Sequence, residues 1–285
     1  MGLYILHLLT FSDHQIFLIS EEYSVLNPTF VFSNMKSSKL VIVPTFNEME
    51  NIQDLIVEVM ALPENFDLLV IDDSSPDGTA SLVKQMQETF PDRLFLIIRK
   101  GKLGLGTAYL EGFAYALKMG YTYIFEMDAD FSHNPQDLSL LYSAAVKGSH
   151  DLVIGSRYVS GVNVVNWPMG RVLMSFFASK YVQFITGIPI KDTTAGFVCY
   201  HRKVLEAIPL NKVKFIGYAF QIEMKFTAWK MGFDILEVPI IFTDRTRGTS
   251  KMSKHIFREA ILGVIYMKVK SMFVKPKKAK EQSII

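Results

Sequence analysis

Two carboxylates one residue apart, Asp128 and Asp130, close the stretch YIFEMDADFSH, Tyr123–His133. The run before them is apolar and aromatic, as a buried strand would be. A strand that ends there delivers the side chains at i and i+2 to one face. Two negative charges held side by side repel each other unless a cation sits between them. The chemistry this pattern points to is the binding of a cation at the tip of a strand.

Such a pair needs elements to position it. From Lys39 onward, short β-branched or aromatic runs alternate with helical periodicity. KLVIVPT, DLLVIDD, LFLIIR, YIFEMDAD, DLVIGSR and ILEVPIIF read as strands. Helices are expected near Glu50 to Ala61, Thr79 to Phe90, Gly106 to Met119 and Pro135 to Lys147, two of them opened by the turn signals SPDGT and SHNPQD. The alternation predicts an α/β fold, a mainly parallel sheet with helices on both faces. Polar residues cluster at the strands' carboxyl ends: Thr45, Asn47 and Glu48; Asp72 and Asp73; Asp128 and Asp130; Ser156 and Arg157. Open α/β sheets bind ligands along that edge. No GxGxxG follows the first strand, which argues against a dinucleotide enzyme. GKLGLGT (101–107) lacks both that spacing and the Walker A order, and reads as a tight turn, ligand-facing or purely structural.

With 285 residues, 49% hydrophobic and 20% charged, the chain can bury one large core. A net charge of +2 gives no global field for nucleic acid. The single cysteine, Cys199, cannot pair within the chain, fits a reducing compartment and reads as a packed small residue. No apolar run reaches the roughly 20 residues of a membrane-spanning helix; VLMSFFASKYVQFITGI and HIFREAILGVIYMKVKSMF are both interrupted by polar groups. Residues 1–34 are apolar without the parts of a signal peptide. They read as an N-terminal extension, disordered or from a mis-assigned start, with a membrane-surface anchor as the competing reading.

Eight blocks occur in a shared order: VIVPTFNEMENI, VIDDSSPDGT, GKLGLGTAYLEGF, MDADFSHNP, VIGSRY, TAGFVCY, GYAFQIEM and VPIIFTDRTRGTSKM. In these the chain resembles the polyprenol-phosphate (dolichol-phosphate) mannosyltransferases, GT-A fold family 2 glycosyltransferases. The resemblance runs from about Lys39 to Met252 and implies a Rossmann-like nucleotide-diphospho-sugar transferase fold. It implies a GT-A domain over 35–250, followed over 251–285 by an amphipathic helix and basic tail. The activity implied is inverting transfer of mannose from GDP-mannose to a polyprenyl phosphate.

By the same matching, Asp128 and Asp130 bind magnesium or manganese, hard cations suited to carboxylate oxygens and to a departing diphosphate. Helix capping through DFSHNP would explain Asp130 but not both acids. The implied donor pocket comprises Pro44, Phe46, Glu48, Ile71, Asp73, Asp128, Ala129 and Asp130. Phe46 stands where the family usually has tyrosine, so stacking survives without the phenolic hydrogen bond. Asp72 reads as closing its own turn. Arg157, Arg171, Ser175, Arg245 and Lys251 match the positions that handle the acceptor phosphate, and Asp130, Arg157, Arg245 and Lys251 are the expected catalytic set. A phosphate monoester is already anionic, so orientation matters more than deprotonation and no general base is required. His133 is therefore read as a helix-start residue. Arg247 is unassigned, and Ser179 replaces an asparagine common in the family. Gln221 and Glu223 are divided between site and structure, whereas Phe220, Ile222 and Phe226 read as core.

A lipid acceptor requires contact with a bilayer. Ile256, Phe257, Ala260, Ile261, Val264 and Ile265 are expected on one helical side, ahead of the lysines of KVKSMFVKPKKAK. That is the pattern of a peripheral anchor at the cytoplasmic face of a membrane; a helix packed on its own domain is the alternative. A small membrane partner protein is a further expectation, and nucleic acid is not. Two rival functions are a UDP-sugar donor on the same fold, such as glucosyl transfer, and a non-catalytic nucleotide-sugar binder.

Overall fold

The computed structural model describes residues 37–245 and 254–273, which belong to one compact unit. The expectations placed on residues 1–34, Arg247, Lys251 and the tail beyond 273 lie outside the described residues, as do the side chains of Ile256, Phe257 and Ala260.

Five of the expected strands appear nearly as read: β1 (Lys39–Thr45), β2 (Asp67–Asp72), β3 (Leu94–Ile98), β4 (Tyr123–Glu126) and β5 (Leu152–Ser156). The sixth run splits into β8 (Ile235–Pro239) and β9 (Phe242–Thr243), and β9 leaves the main sheet to pair with β6 (Val164–Val165). The sheet order is β3-β2-β1-β4-β7-β5-β8, where β7 is Val198–His201. Every pair is parallel except those of β7, which runs antiparallel to both β4 and β5. Two antiparallel pairings in succession leave β4 and β5 pointing the same way. The carboxyl ends of β1, β2, β4 and β5 therefore share one edge with the amino end of β7.

Helices α1 (Ile52–Met60), α2 (Thr79–Met86) and α4 (Asp137–Lys147) cover one face. The other is covered by α3 (Leu105–Met119), α5 (Met169–Thr186), α6 (Arg202–Ala207), α7 (Tyr218–Lys230) and α8 (Lys254–Phe273). Alternate residues of β1 feed the two cores: Leu40 and Ile42 join one, Val41 and Val43 the other. Burial on both faces explains why the strands read as unbroken apolar runs. Phe220, Ile222 and Phe226 are core, as expected, and Cys199 is packed within β7.

One open reading is narrowed and two others need correction. GKLGLGT is held by protein: the amide of Gly106 donates to the carbonyl of Ile216 at 2.8 Å. A Cβ at Gly106 would lie 2.9 Å from the Phe220 ring and 3.0 Å from the Ile216 Cα. Gly106→Ala is therefore expected to destabilise by about 1–3 kcal/mol, read as a melting point several degrees lower. His133 does not start a helix, since α4 begins at Asp137. On α8, Ile261 and Ile265 do not share a face with Val264: Val264 and Met267 are buried against the domain, whereas Ile261, Leu262, Ile265 and Val269 are exposed. The helix packs with one stripe and leaves the other bare.

Candidate active site

Strand order reverses between β1 and β4, because β2 and β3 continue on one side of β1 and β4 lies on the other. Such a switch point opens a crevice at the strands' carboxyl ends. Each turn there contains a non-glycine residue in the left-handed region: Asn47 after β1, Ser74 after β2 and Phe131 after β4, with φ of 58°, 55° and 58°. Strained turns of this kind persist where surrounding contacts over-determine them.

On the β2 side the two aspartates divide their tasks. Asp72 is fully buried and accepts from the hydroxyls of Thr45 (2.8 Å) and Ser75 (2.6 Å) and from the amide of Ser75 (2.8 Å). It closes its turn, as read. Asp73 faces a residue that sequence reasoning missed: Nε and Nη2 of Arg99 both reach its Oδ1 at 2.5 Å. Arg99 Nη1 also donates to Thr107 Oγ1 at 2.7 Å, tying Asp73 to the GKLGLGT turn. Pro44 pairs with Ile71 across β1 and β2. Phe46 is half-buried with Lys102 Nζ 4.9 Å from its ring centroid, and Glu48, also half-buried, accepts from Asn51 Nδ2 at 3.2 Å. Phe46, Glu48 and Asp73 thus lie just beyond the carboxyl ends of β1 and β2, whereas Ile71 is fully buried in the core beneath them.

In that turn, Asp130 is buried and pairs through Oδ2 with Arg245 at 2.8 Å, while its Oδ1 accepts from the amide of Ser132 at 3.1 Å. Burial, then repulsion from Asp130, pushes the Asp128 carboxyl up to about 7, against the pull of Arg245. Two carboxylates this crowded would be relieved by a shared cation. The two carboxylates would suit a hard divalent ion that takes its other oxygens from elsewhere; no cluster of three or more acidic, His or Cys ligands occurs among the described residues. Ala129 is buried between them.

His133 Nδ1 accepts from the Asp128 amide at 3.2 Å, and its ring stacks on Phe197 at 4.9 Å. Its role is structural, as a pin for the turn. Burial drives its pKa down to about 4 from an ordinary 6.5. Between those values the unfolded chain binds a proton that the folded chain does not. Stability should therefore fall, by on the order of 3 kcal/mol, as pH drops from about 6.5 toward 4. His133→Gln should flatten that part of a denaturation-against-pH curve.

On the β5 side, Arg157 is buried and clamped. Its Nε and Nη2 reach the two oxygens of Asp192 at 2.7 Å each, its amide donates to Asp192 Oδ2 at 3.0 Å, and Nη2 reaches Thr194 Oγ1 at 2.9 Å. Burial would raise the Asp192 carboxyl, but the charge and hydrogen bonds of Arg157 hold it below the usual carboxylate range. Asp192 is the second residue missed. Glu237, on β8, fixes this corner by accepting from Ser156 Oγ at 2.8 Å and from the amides of Lys191 (2.7 Å) and Asp192 (2.8 Å). Arg171 pairs with Asp244 at 2.8 Å and lies 4.2 Å from the centroid of Trp167. The segment carrying Asp244 and Arg245 is docked to both sides: the Thr243 amide reaches the Ser132 carbonyl at 3.3 Å, and the Asp244 amide the Val165 carbonyl at 3.0 Å. Ser175 sits half-buried one helical turn beyond Arg171, facing the Tyr158 hydroxyl. Ser179 is buried against Thr193 at 3.4 Å.

Gln221 lies beneath the aspartate turn and donates to Glu126 at 2.8 Å. Glu223 instead accepts from the amides of Lys214 and Phe215, at 2.9 and 3.1 Å, in the loop before α7. Of this even pair, only Gln221 reaches the site's support.

A doubly wound sheet with an aspartate pair at its switch point and arginines beside it defines a GT-A glycosyltransferase. The chain belongs to glycosyl transferase family 2, whose sequence profile matches residues 40–208. Over 225 residues it is 47% identical to polyprenol monophosphomannose synthase of Mycolicibacterium smegmatis, covering 79% of this chain and 84% of that one. It is 42% identical over 226 residues to undecaprenyl-phosphate mannosyltransferase of Micrococcus luteus, covering 79% and 91%. Among solved structures, glucosyl-3-phosphoglycerate synthase from Mycobacterium tuberculosis with Mn2+, UDP-glucose and phosphoglyceric acid superposes with a TM-score of 0.60 at 16% identity, covering 81% of this chain and 79% of that one. At that identity it speaks for the fold alone.

Proposed function

We propose that the chain transfers mannose, with inversion, from GDP-mannose to a polyprenyl phosphate, giving polyprenyl phosphate mannose and GDP. The observation that carries this reading is the meeting, at one sheet edge, of a crowded aspartate pair with Arg157, Arg171 and Arg245. The names of the two relatives supply the sugar and the acceptor.

Asp128 and Asp130 would hold magnesium or manganese. Bound there, that ion would neutralise charge developing on the leaving diphosphate. The protein's own contribution is placement. Asp73, kept in position by Arg99, and Glu48 offer carboxylate acceptors to the donor's ribose and base, with the Phe46 ring available for stacking. Arg171 and Arg245 present guanidinium groups to the acceptor phosphate, and Arg157 stiffens the turn between them. The acceptor oxygen arrives already charged, so the bond to the sugar forms as the bond to GDP breaks, with no proton to remove. Ser175 and Lys251 are assigned to the acceptor side on motif context.

Attachment at the cytoplasmic face of a membrane completes the reading. No helix among the described residues is long and apolar enough to cross a bilayer. Beside the exposed stripe of α8, α5 leaves Met169, Leu173, Phe177 and Phe184 in solvent, Phe177 at 61% and Phe184 at 87% exposure. The helices are tied together by Tyr181 Oη to the Ile261 carbonyl (3.1 Å) and Lys268 Nζ to the Thr186 carbonyl (3.2 Å). Adjacent bare apolar stripes suit an interfacial surface. The pair Phe177→Asp and Phe184→Asp is expected to weaken co-sedimentation with anionic liposomes by about a hundredfold; unchanged binding would remove α5 from the interface.

The function is tested by incorporation of labelled mannose into a chloroform-extractable, mild-acid-labile product, with and without EDTA. A donor panel runs alongside. Consumption of UDP-glucose but not GDP-mannose would overturn the donor assignment.

A further inference from the structure

One buried cation has no part in the mechanism above. Lys225, on α7, is fully buried, and its Nζ donates to the Ala195 carbonyl at 2.6 Å, to Gln221 Oε1 at 3.0 Å and to the Gln221 carbonyl at 3.3 Å. All three acceptors are neutral. Burying an ammonium is costly, and a methionine of similar length would fill the space without that penalty. A lysine at this position is better explained by what its hydrogen bonds connect.

They connect the two halves of the site. In one direction Gln221, one helical turn from Lys225 and on the same face of α7, donates through Nε2 to Glu126 Oε2 at 2.8 Å. Glu126 is the last residue of β4, two positions before Asp128. In the other direction Ala195 follows Thr194, whose hydroxyl accepts from Arg157 Nη2 at 2.9 Å. A single ammonium thus joins the strand end that carries the aspartates to the segment before β7 whose Asp192 and Thr194 clamp the acceptor-side arginine. We infer that Lys225 is a positioning residue that holds the Asp128 turn in register with the Asp192–Thr194 segment that clamps Arg157. Burial lowers its pKa, against the pull of Glu126 and Asp192, and the three acceptors around Nζ match the three donors of an ammonium. Its kinetic consequence rests on the functional reading above; its structural consequence does not.

Two variants test it. Lys225→Met keeps the volume and removes the donors, and Gln221→Leu cuts the link to Glu126 while sparing the bond to Ala195. Amide hydrogen exchange needs no substrate. In Lys225→Met, segments 126–133 and 192–197 are both expected to exchange about tenfold faster or more, with α1 and α2 unchanged. Gln221→Leu should speed the first segment. Exchange raised only within α7, with both turns at wild-type rates, would overturn the inference. In the mannose-transfer assay, kcat of the folded variants is expected to fall about tenfold to a hundredfold, with KM for GDP-mannose and for polyprenyl phosphate within about threefold of wild type. Unchanged kcat, or a loss confined to KM, would also overturn it. If Lys225→Met does not fold, Gln221→Leu decides on the same readouts. A wild-type protein inactive with GDP-mannose would refute the functional reading, and the exchange data would still settle the role of Lys225.

Discussion

Asp130→Asn is expected to lower kcat by about a thousandfold, roughly 4 kcal/mol of lost transition-state stabilisation. The substitution keeps an oxygen that can accept from the Ser132 amide, now at 3.1 Å, so the turn should still form. What disappears is the charge that pairs with Arg245 and, with Asp128, would hold the cation. Arg245 is a quarter exposed and Asp128 loses a repelling neighbour, so the loss should appear mainly in turnover and in the metal concentration needed for half-maximal rate, with a melting temperature changed by only a few degrees. Radiolabelled transfer assays at graded magnesium or manganese would measure both. A variant within about fivefold of wild type would remove Asp130 from its assigned role.

Asp192→Ala should act through stability. It deletes the acceptor for the Arg157 amide, Nε and Nη2 at once and leaves a buried guanidinium without its counter-charge. Breaking one side of a buried pair costs about 3–5 kcal/mol, so melting should drop by about 10 °C. Arg157→Met should be destabilising as well. Because the two groups act as a unit, the double variant is expected to lose much less than the sum of the singles. Thermal unfolding of the four proteins closes the cycle, and additive losses would show that the pair is uncoupled.

The parts of the site that lay open in the sequence are those in which local pattern and chemistry coincide. β1 was readable to the residue because a two-sided buried strand is a continuous apolar run ending in polar groups. The aspartate pair was conspicuous for the same reason. β7 was not, since its four residues carry no alternation and its antiparallel insertion is decided by partners far along the chain. Asp192 contacts Arg157 across 35 positions, a relation that no window of sequence contains; its only signal was its place just before the TAGF block. Arg99 could have been found, because it ends the LFLII run as Asp73 ends DLLVID, and the rule that polar strand ends converge applies to it equally. His133 reads as a helix-start residue because the DFSHNP pattern looks like a cap; instead Phe131 adopts a left-handed conformation, the His133 ring accepts from the Asp128 amide, and α4 begins only at Asp137.

The insertion of β7 between β4 and β5 also sets how far apart the aspartate turn and the Arg157 turn begin. With one strand intervening, the carboxyl ends of β4 and β5 are two strand spacings apart, about 10 Å, and it is the segment carrying Arg245 that crosses this gap to reach Asp130 at 2.8 Å.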